Sequence, residues 1–171
     1  MLYKIQLWSH TRSAWQLLFL SGAILLAAAL YFQHVVGLEP CVMCIYQRTA
    51  VVGIMLAGLL PVISNIFLVR MMAYAIWGTS AVKGYVLASE HKEILFSENA
   101  FFVPCPVEPQ FPSFMPLHEW IPDVFAAPGS CLENTWQFFS MGMAEWMQII
   151  FVMYIAVFGL MFMSQFVSKK V

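Results

Sequence analysis

Four stretches of this chain run for about the thickness of a bilayer almost without charge, and no other feature constrains the fold as much. A membrane-crossing helix needs about 20 predominantly apolar residues. Ala14 to Phe32 and Trp146 to Phe166 carry no charge; Cys44 to Ile63 carries only Arg48, and Met71 to Ser89 only Lys83. Glycines and Pro61 within these stretches do not argue against spanning, because membrane helices tolerate both. The chain as a whole is 61% apolar and 10% charged, against roughly half and a quarter for a soluble domain. The expected fold is an all-α membrane protein: one membrane domain over residues 1–171, a four-transmembrane-helix bundle with spans at about 14–32, 44–63, 71–89 and 146–166. The first stretch shares basic residues before it, and Ala27 to Ala29 near its end, with secretory signals. It exceeds their apolar core of about 7–15 residues and is expected to stay as a span.

Charge sets the orientation. Lys4 and Arg12 precede the first span, Arg70 sits between the second and third, and Lys169 and Lys170 follow the fourth. An even number of spans puts these segments on one side, and the excess of Lys and Arg makes that side cytoplasmic. Loops 33–43 and 90–145 then face outward, and with their edges they hold all nine acidic residues, from Glu39 to Glu145. Both pairs of cysteines, Cys41 with Cys44 and Cys105 with Cys131, fall on that outer side, where disulfides persist. The net charge of −1 says little, because the charges are segregated, and with no basic patch nucleic acid is not expected as a partner.

The long loop carries seven of the nine prolines. Pro106 restricts Cys105 to extended geometry, and the prolines flanking it remove donors, so Cys105 is expected on an irregular, accessible segment. Pro128-Gly129-Ser130 signals a turn just before Cys131. Between them Phe114, Leu117, Ile121, Val124 and Phe125 recur at roughly helical spacing, with Pro116 suited to a helix start and Pro122 limiting its length. This predicts a short amphipathic helix lying on the lipid surface; the plainer alternative is packing within a small extramembrane domain.

Cys41-Val42-Met43-Cys44 places two thiols within reach of a disulfide or a metal ion. The motif precedes the second span, so Cys44 is expected in or near a first helical turn, where unpaired N–H groups and the positive helix end favour a thiolate. Arg48 lies one turn deeper on the same face. A charge there is costly without a partner. It is positioned to stabilise the Cys44 thiolate or to donate to the carbonyl of a membrane quinone; the alternative is a side chain reaching back to the headgroups. His91 reaches the outer surface at the depth of Cys44, and Lys83 lies about two turns deeper. The other readings of the cysteines are purely structural bridges, for which the short Cys41–Cys44 loop gives little stabilisation, and zinc, for which the gap between Cys105 and Cys131 lacks the usual paired spacing. No metal is expected.

Glu39-Pro40-Cys41-Val42-Met43-Cys44-Ile45-Tyr46-Gln47-Arg48, followed by two cysteines in a Pro-rich outer loop, resembles the DsbB family of bacterial inner-membrane disulfide-generating proteins. The likeness covers nearly the whole chain. It implies a quinone-dependent protein-disulfide oxidoreductase with disulfides Cys41–Cys44 and Cys105–Cys131. Cys105 and Cys131 would accept electrons from a periplasmic DsbA-like thiol oxidase, with Cys105 forming the mixed disulfide. Cys41 and Cys44 would pass them to ubiquinone or menaquinone, with Cys44 nearest the ring and Cys131 joining Cys41 transiently. Arg48 and His91 match family positions at the quinone. Gln47 departs from the acidic residue of some members. Membrane lipid is the other expected partner. The rival functions are a disulfide-stapled membrane scaffold without turnover, and a quinone reductase resembling vitamin-K-epoxide reductase, whose cysteine pair would lie near a later span.

Overall fold

The structure, a computed structural model, describes residues 2–96, 108–132 and 136–166. In chain order its elements are α1 (Leu2–Ser9), α2 (Arg12–His34), α3 (Val42–Ile63), α4 (Phe67–Phe96), the single turns α5 (Leu117–Trp120) and α6 (Pro122–Phe125), a hairpin of β1 (Gln137–Phe138) and β2 (Met141–Gly142), and α7 (Met143–Ser164). Each long apolar stretch falls on one of the four long helices.

Among the described residues three helices, α2, α3 and α7, are long and apolar enough to cross a membrane. The sequence reading counts four. At 30 residues α4 is long enough, but Gly78, Thr79, Ser80 and Lys83 dilute its middle. It also continues past Ser89, since Glu90, Lys92 and Glu93 are good helix formers and Lys92 reaches Glu145 at 3.6 Å on α7.

The long helices pack in the order α2, α3, α4, α7, and Tyr154 of α7 closes the set by donating to Ser21 of α2 at 2.9 Å. Small residues set the spacing. A Cβ on Gly58 would lie 2.5 Å from the backbone nitrogen of Phe19, so α3 meets α2 backbone to backbone, as membrane helices do where packing replaces a hydrophobic drive. On α4 the buried Ala73, Trp77, Ala81, Gly84, Ala88 and His91 form one stripe, and the Phe151 ring of α7 fills the space where a Gly84 side chain would stand. Trp15, Tyr74 and Trp77 make the aromatic centre, with the first two rings 5.0 Å apart. The outward faces stay apolar: Leu17, Ile24, Val152, Met153 and Leu160 are all exposed.

Both ends of the described chain meet at one end of the bundle. Gln165 donates to Ser9 at 2.8 Å and to Tyr74 at 3.3 Å, and Asn65 in the α3–α4 turn donates to the His10 carbonyl at 2.8 Å.

The other end is capped by the α2–α3 loop and the described part of the α4–α7 loop. In place of one amphipathic helix, two single turns form, because Ile121 precedes a proline and takes a non-helical conformation (φ −136°, ψ 68°). Phe125 is buried, whereas Phe114, Trp120 and Ile121 are exposed. The hairpin turn is unusual in composition, with Phe139 and Ser140 both at positive φ (51° and 59°), a geometry that normally selects Asn or Gly. Trp136 before it packs edge-on against Phe32 at 5.3 Å, which pins the hairpin to the outer end of α2.

Candidate functional site

Cys41 is the N-cap of α3, and its sulfur accepts the Cys44 N–H at 3.3 Å. The two sulfurs are 2.7 Å apart, both as free thiols. This shifts one expectation from sequence. The unpaired N–H groups at the helix start serve Cys41 rather than Cys44, because the residue just outside the first turn is the one whose side chain can fold back onto them. Hydrogen bonding from Cys44 is the main cause that lowers the Cys41 pKa to about 5; burial opposes it and His91 assists it.

His91 reaches this pair from the top of the small-residue stripe on α4. It is 5% exposed, with Nε2 3.6 Å from Cys41 Sγ. On the other side of the ring, the amide nitrogen of buried Gln47 donates to Nδ1 at 3.3 Å. The ring proton of a neutral His91 therefore sits on Nε2 and points at the Cys41 sulfur. Among the described residues Cys41, Cys44 and His91 also form a potential three-ligand group, with donor atoms within 4.8 Å of one another.

Arg48 is buried within the protein. It is 7% exposed, and its Nη1 donates to Gln33 Oε1 at 2.7 Å and to the Val124 carbonyl. Gln33 and His34 hold the neighbouring Asp123 carbonyl at 3.1 and 3.0 Å. The outer end of α2 thus fixes the α6 turn over the arginine. Arg48 Nε is buried without a partner among the described residues.

The second loop is docked on the first. Gly129 N–H donates to the Pro40 carbonyl at 3.1 Å, and a Cβ there would stand 2.3 Å from the Glu39 carbonyl oxygen. Only glycine permits this approach, and it seats the next segment beside the first cysteine pair. Cys131 is buried in one cluster with Cys41, Met43 and Ile94, against Cys44, and is disulfide-bonded. Cys105 lies outside the described residues. Tyr46 takes the Gln110 N–H at 2.7 Å and packs on Phe111.

Between these parts lies a cavity of about 340 Å³ whose wall includes Cys41, Cys44, Arg48 and His91. The structure therefore gathers Cys41, Cys44, Cys131, Arg48 and His91 at one end of the bundle. Lys83 is exposed on α4, away from this wall. Gln33, Gln47, Gly129 and the Val124 carbonyl are site components that reading the sequence did not single out for these roles. Gln47 carried a usable signal, as an amide inside an apolar stretch that needs a partner; the Val124 carbonyl carried none.

The family model "Disulfide bond formation protein DsbB" matches residues 11–161. Relatives named Disulfide bond formation protein B include one from Pseudoalteromonas atlantica, 45% identical over 95% of both chains. Another, from Idiomarina loihiensis, is 46% identical over 84% of this chain and 80% of its own. A third, from Yersinia pestis, is 44% identical over 95% of this chain and 92% of its own. With a family match across most of its length and relatives this similar end to end, the chain belongs to the DsbB family of disulfide bond formation proteins.

Proposed function

We propose that the protein oxidises a DsbA-like periplasmic dithiol oxidase and passes the electrons through Cys105 and Cys131, then Cys41 and Cys44, to a quinone in the bacterial inner membrane. In this reading four helices span the bilayer, α4 included, with Gly78 facing Phe158 of α7 and Ser80 facing Gly53 of α3. The termini lie in the cytoplasm; the meeting of the two chain ends at one end of the bundle supports an even number of spans. Loops 33–43 and 90–145 are periplasmic, and exposed Phe114, Trp120 and Ile121 rest on lipid.

One observation carries the proposal: a cavity bordered together by a dithiol and a buried arginine. The residues fit a quinone. Cys44 is the less buried residue of the pair and borders the cavity, the Arg48 Nε is a buried donor without an acceptor among the described residues, and most of the remaining wall is apolar. A bound quinone supplies a two-electron acceptor; the protein supplies orientation and charge. Arg48 and His91 would hold its oxygens. Within the chain, electrons move by thiolate attack. A thiolate of the outer dithiol attacks Cys41 of the Cys41–Cys44 disulfide, Cys44 leaves as thiolate, and the second outer thiol displaces Cys41 to close Cys105–Cys131. The burial of Cys131 against Cys41 supports that order.

The test mixes purified protein, quinone and a reduced thioredoxin-like oxidase and follows quinone absorbance. Quinone reduction is expected with the unaltered protein and its abolition in Cys44→Ala. Arg48→Ala should raise the quinone KM about ten- to a hundredfold, the size of a lost hydrogen bond to a charged group, and leave the KM for the thiol partner unchanged. The reverse pattern would refute the placement of Arg48.

A further inference from the structure

The geometry of Cys41, Cys44 and His91 points to a second use of the same three atoms. We propose that the protein, when this pair is reduced, binds one divalent cation of the zinc class through Cys41 Sγ, Cys44 Sγ and His91 Nε2, and that the cation stops the pair from passing electrons on. The binding stands on geometry; the block rests on the function proposed above.

Zinc holds sulfur at about 2.3 Å and imidazole nitrogen at about 2.0–2.1 Å in tetrahedral sites. Those lengths put a sulfur and a nitrogen ligand about 3.6 Å apart and two sulfurs about 3.8 Å apart. Cys41 Sγ and His91 Nε2 already stand 3.6 Å apart. The sulfurs, at 2.7 Å, must open by about 1 Å. Cys44 can supply that movement, because it is only half-buried and borders the cavity, whereas Cys41 and His91 are held between α3 and α4. The fourth position opens to the cavity, as in sites with three protein ligands and an exchangeable water.

The surroundings suit this use. A metal-bound His needs its other nitrogen protonated and backed by an acceptor. Gln47 is already on Nδ1 at 3.3 Å, and rotating its amide presents the oxygen there. Two thiolates cancel the charge of the dication, so Arg48 meets no added positive charge. Binding sends the Cys44 thiol proton to solvent, Cys41 already being a thiolate, and moves the His91 ring proton from Nε2 to Nδ1; no electron is transferred. Oxidation of the pair removes both thiolates and with them the site, so the cation reads the redox state. While bound, it occupies the sulfur lone pairs that electron transfer needs.

The experiment uses the full chain carrying Cys105→Ser and Cys131→Ser, so that one pair remains. It is purified free of quinone, reduced with a phosphine, and titrated with Co²⁺ alone, then with Zn²⁺. A thiolate-to-cobalt absorption band saturating at one ion per chain, erased by Zn²⁺ and absent once the pair is oxidised, is expected. His91→Ala and Gln47→Leu should each weaken binding by about tenfold or more. No band in the reduced protein, or a band of unaltered affinity in His91→Ala, overturns the site. Comparing the reduced and oxidised forms of one protein keeps the test valid if either variant folds poorly. Separately, saturating Zn²⁺ should suppress quinone reduction by the reduced protein, with recovery on adding a chelator; full-rate reduction under zinc overturns the block. A protein that never reduces quinone refutes the proposed function and leaves the cobalt titration readable.

Discussion

At the scale of single residues, the site divides labour between two sulfurs three positions apart. Cys41 collects donors from the Cys44 thiol, the Cys44 N–H and His91, and it packs against Cys131. Cys44 accepts none of these and borders the cavity with Arg48. Both border the cavity; in the proposed relay the first exchanges with the loop and the second faces what binds there. A lowered pKa gives this division a pH signature. Cys41 is a thiolate at any pH above about 5, and as pH falls through that value it regains its proton and ceases to be a nucleophile. Alkylation of Cys41 in the reduced protein, read site by site by mass spectrometry, should reach its plateau rate just above pH 5. In Cys44→Ala the largest stabilising hydrogen bond is gone, so the midpoint should move upward toward the ordinary thiol value of about 8.5. A midpoint unchanged by that substitution would show that Cys44 does not hold the charge.

At the scale of elements, α3 and α4 bring Cys44, Arg48 and His91 to one cavity because small residues bring these helices and their neighbours close. Gly58→Ala forces a methyl group into the α2 backbone at Phe19. It is expected to cost about 1–3 kcal/mol, typical of overpacking, seen as a lower unfolding midpoint in detergent, with weaker quinone binding because the cavity lies between the same helices. Stability equal to the unaltered protein would mean that the contact is looser than described. The elements were legible in the sequence to different depths. Apolar runs bounded by polar loops marked all four long helices, and the position of Cys41-Val42-Met43-Cys44 just before the second run put Cys44 in the first turn of α3. Pro122 announced the break between α5 and α6, although one helix was expected across it. The hairpin was not legible, since its turn places Phe139 and Ser140 in a conformation that their chemistry does not advertise. Arg48 stood out as a charge in an apolar stretch, but its partners did not: Gln33 and Val124 are 15 and 76 residues away, and a backbone carbonyl leaves no mark in a sequence.

At the scale of the whole molecule, two loops, one between α2 and α3 and one between α4 and α7, close over one end of a helical bundle. Gly129 is the seam between them, separated from Cys131 by one residue, and in the proposed relay the seam governs electron flow. Gly129→Val drives a branched side chain into the Glu39 carbonyl and should lift Cys131 off Cys41. A misplacement of about 1 Å can slow a reaction on the order of a hundredfold. Overall turnover should fall by that order, while reduction of quinone by a pre-reduced Cys41–Cys44 pair continues at its normal rate. Equal slowing of both steps would place Gly129 in general stability instead.

The claim on which the account turns is that Cys41 and Cys44 deliver their two electrons directly to quinone. A single-turnover measurement addresses it with no partner present. Protein carrying Cys105→Ser and Cys131→Ser is reduced, freed of reductant and mixed rapidly with one equivalent of quinone, and both quinone absorbance and free thiols are followed. The account predicts one quinone reduced per chain, with both thiols lost at the same rate to a Cys41–Cys44 disulfide. Quinone that stays oxidised beside a persistent dithiol would contradict it.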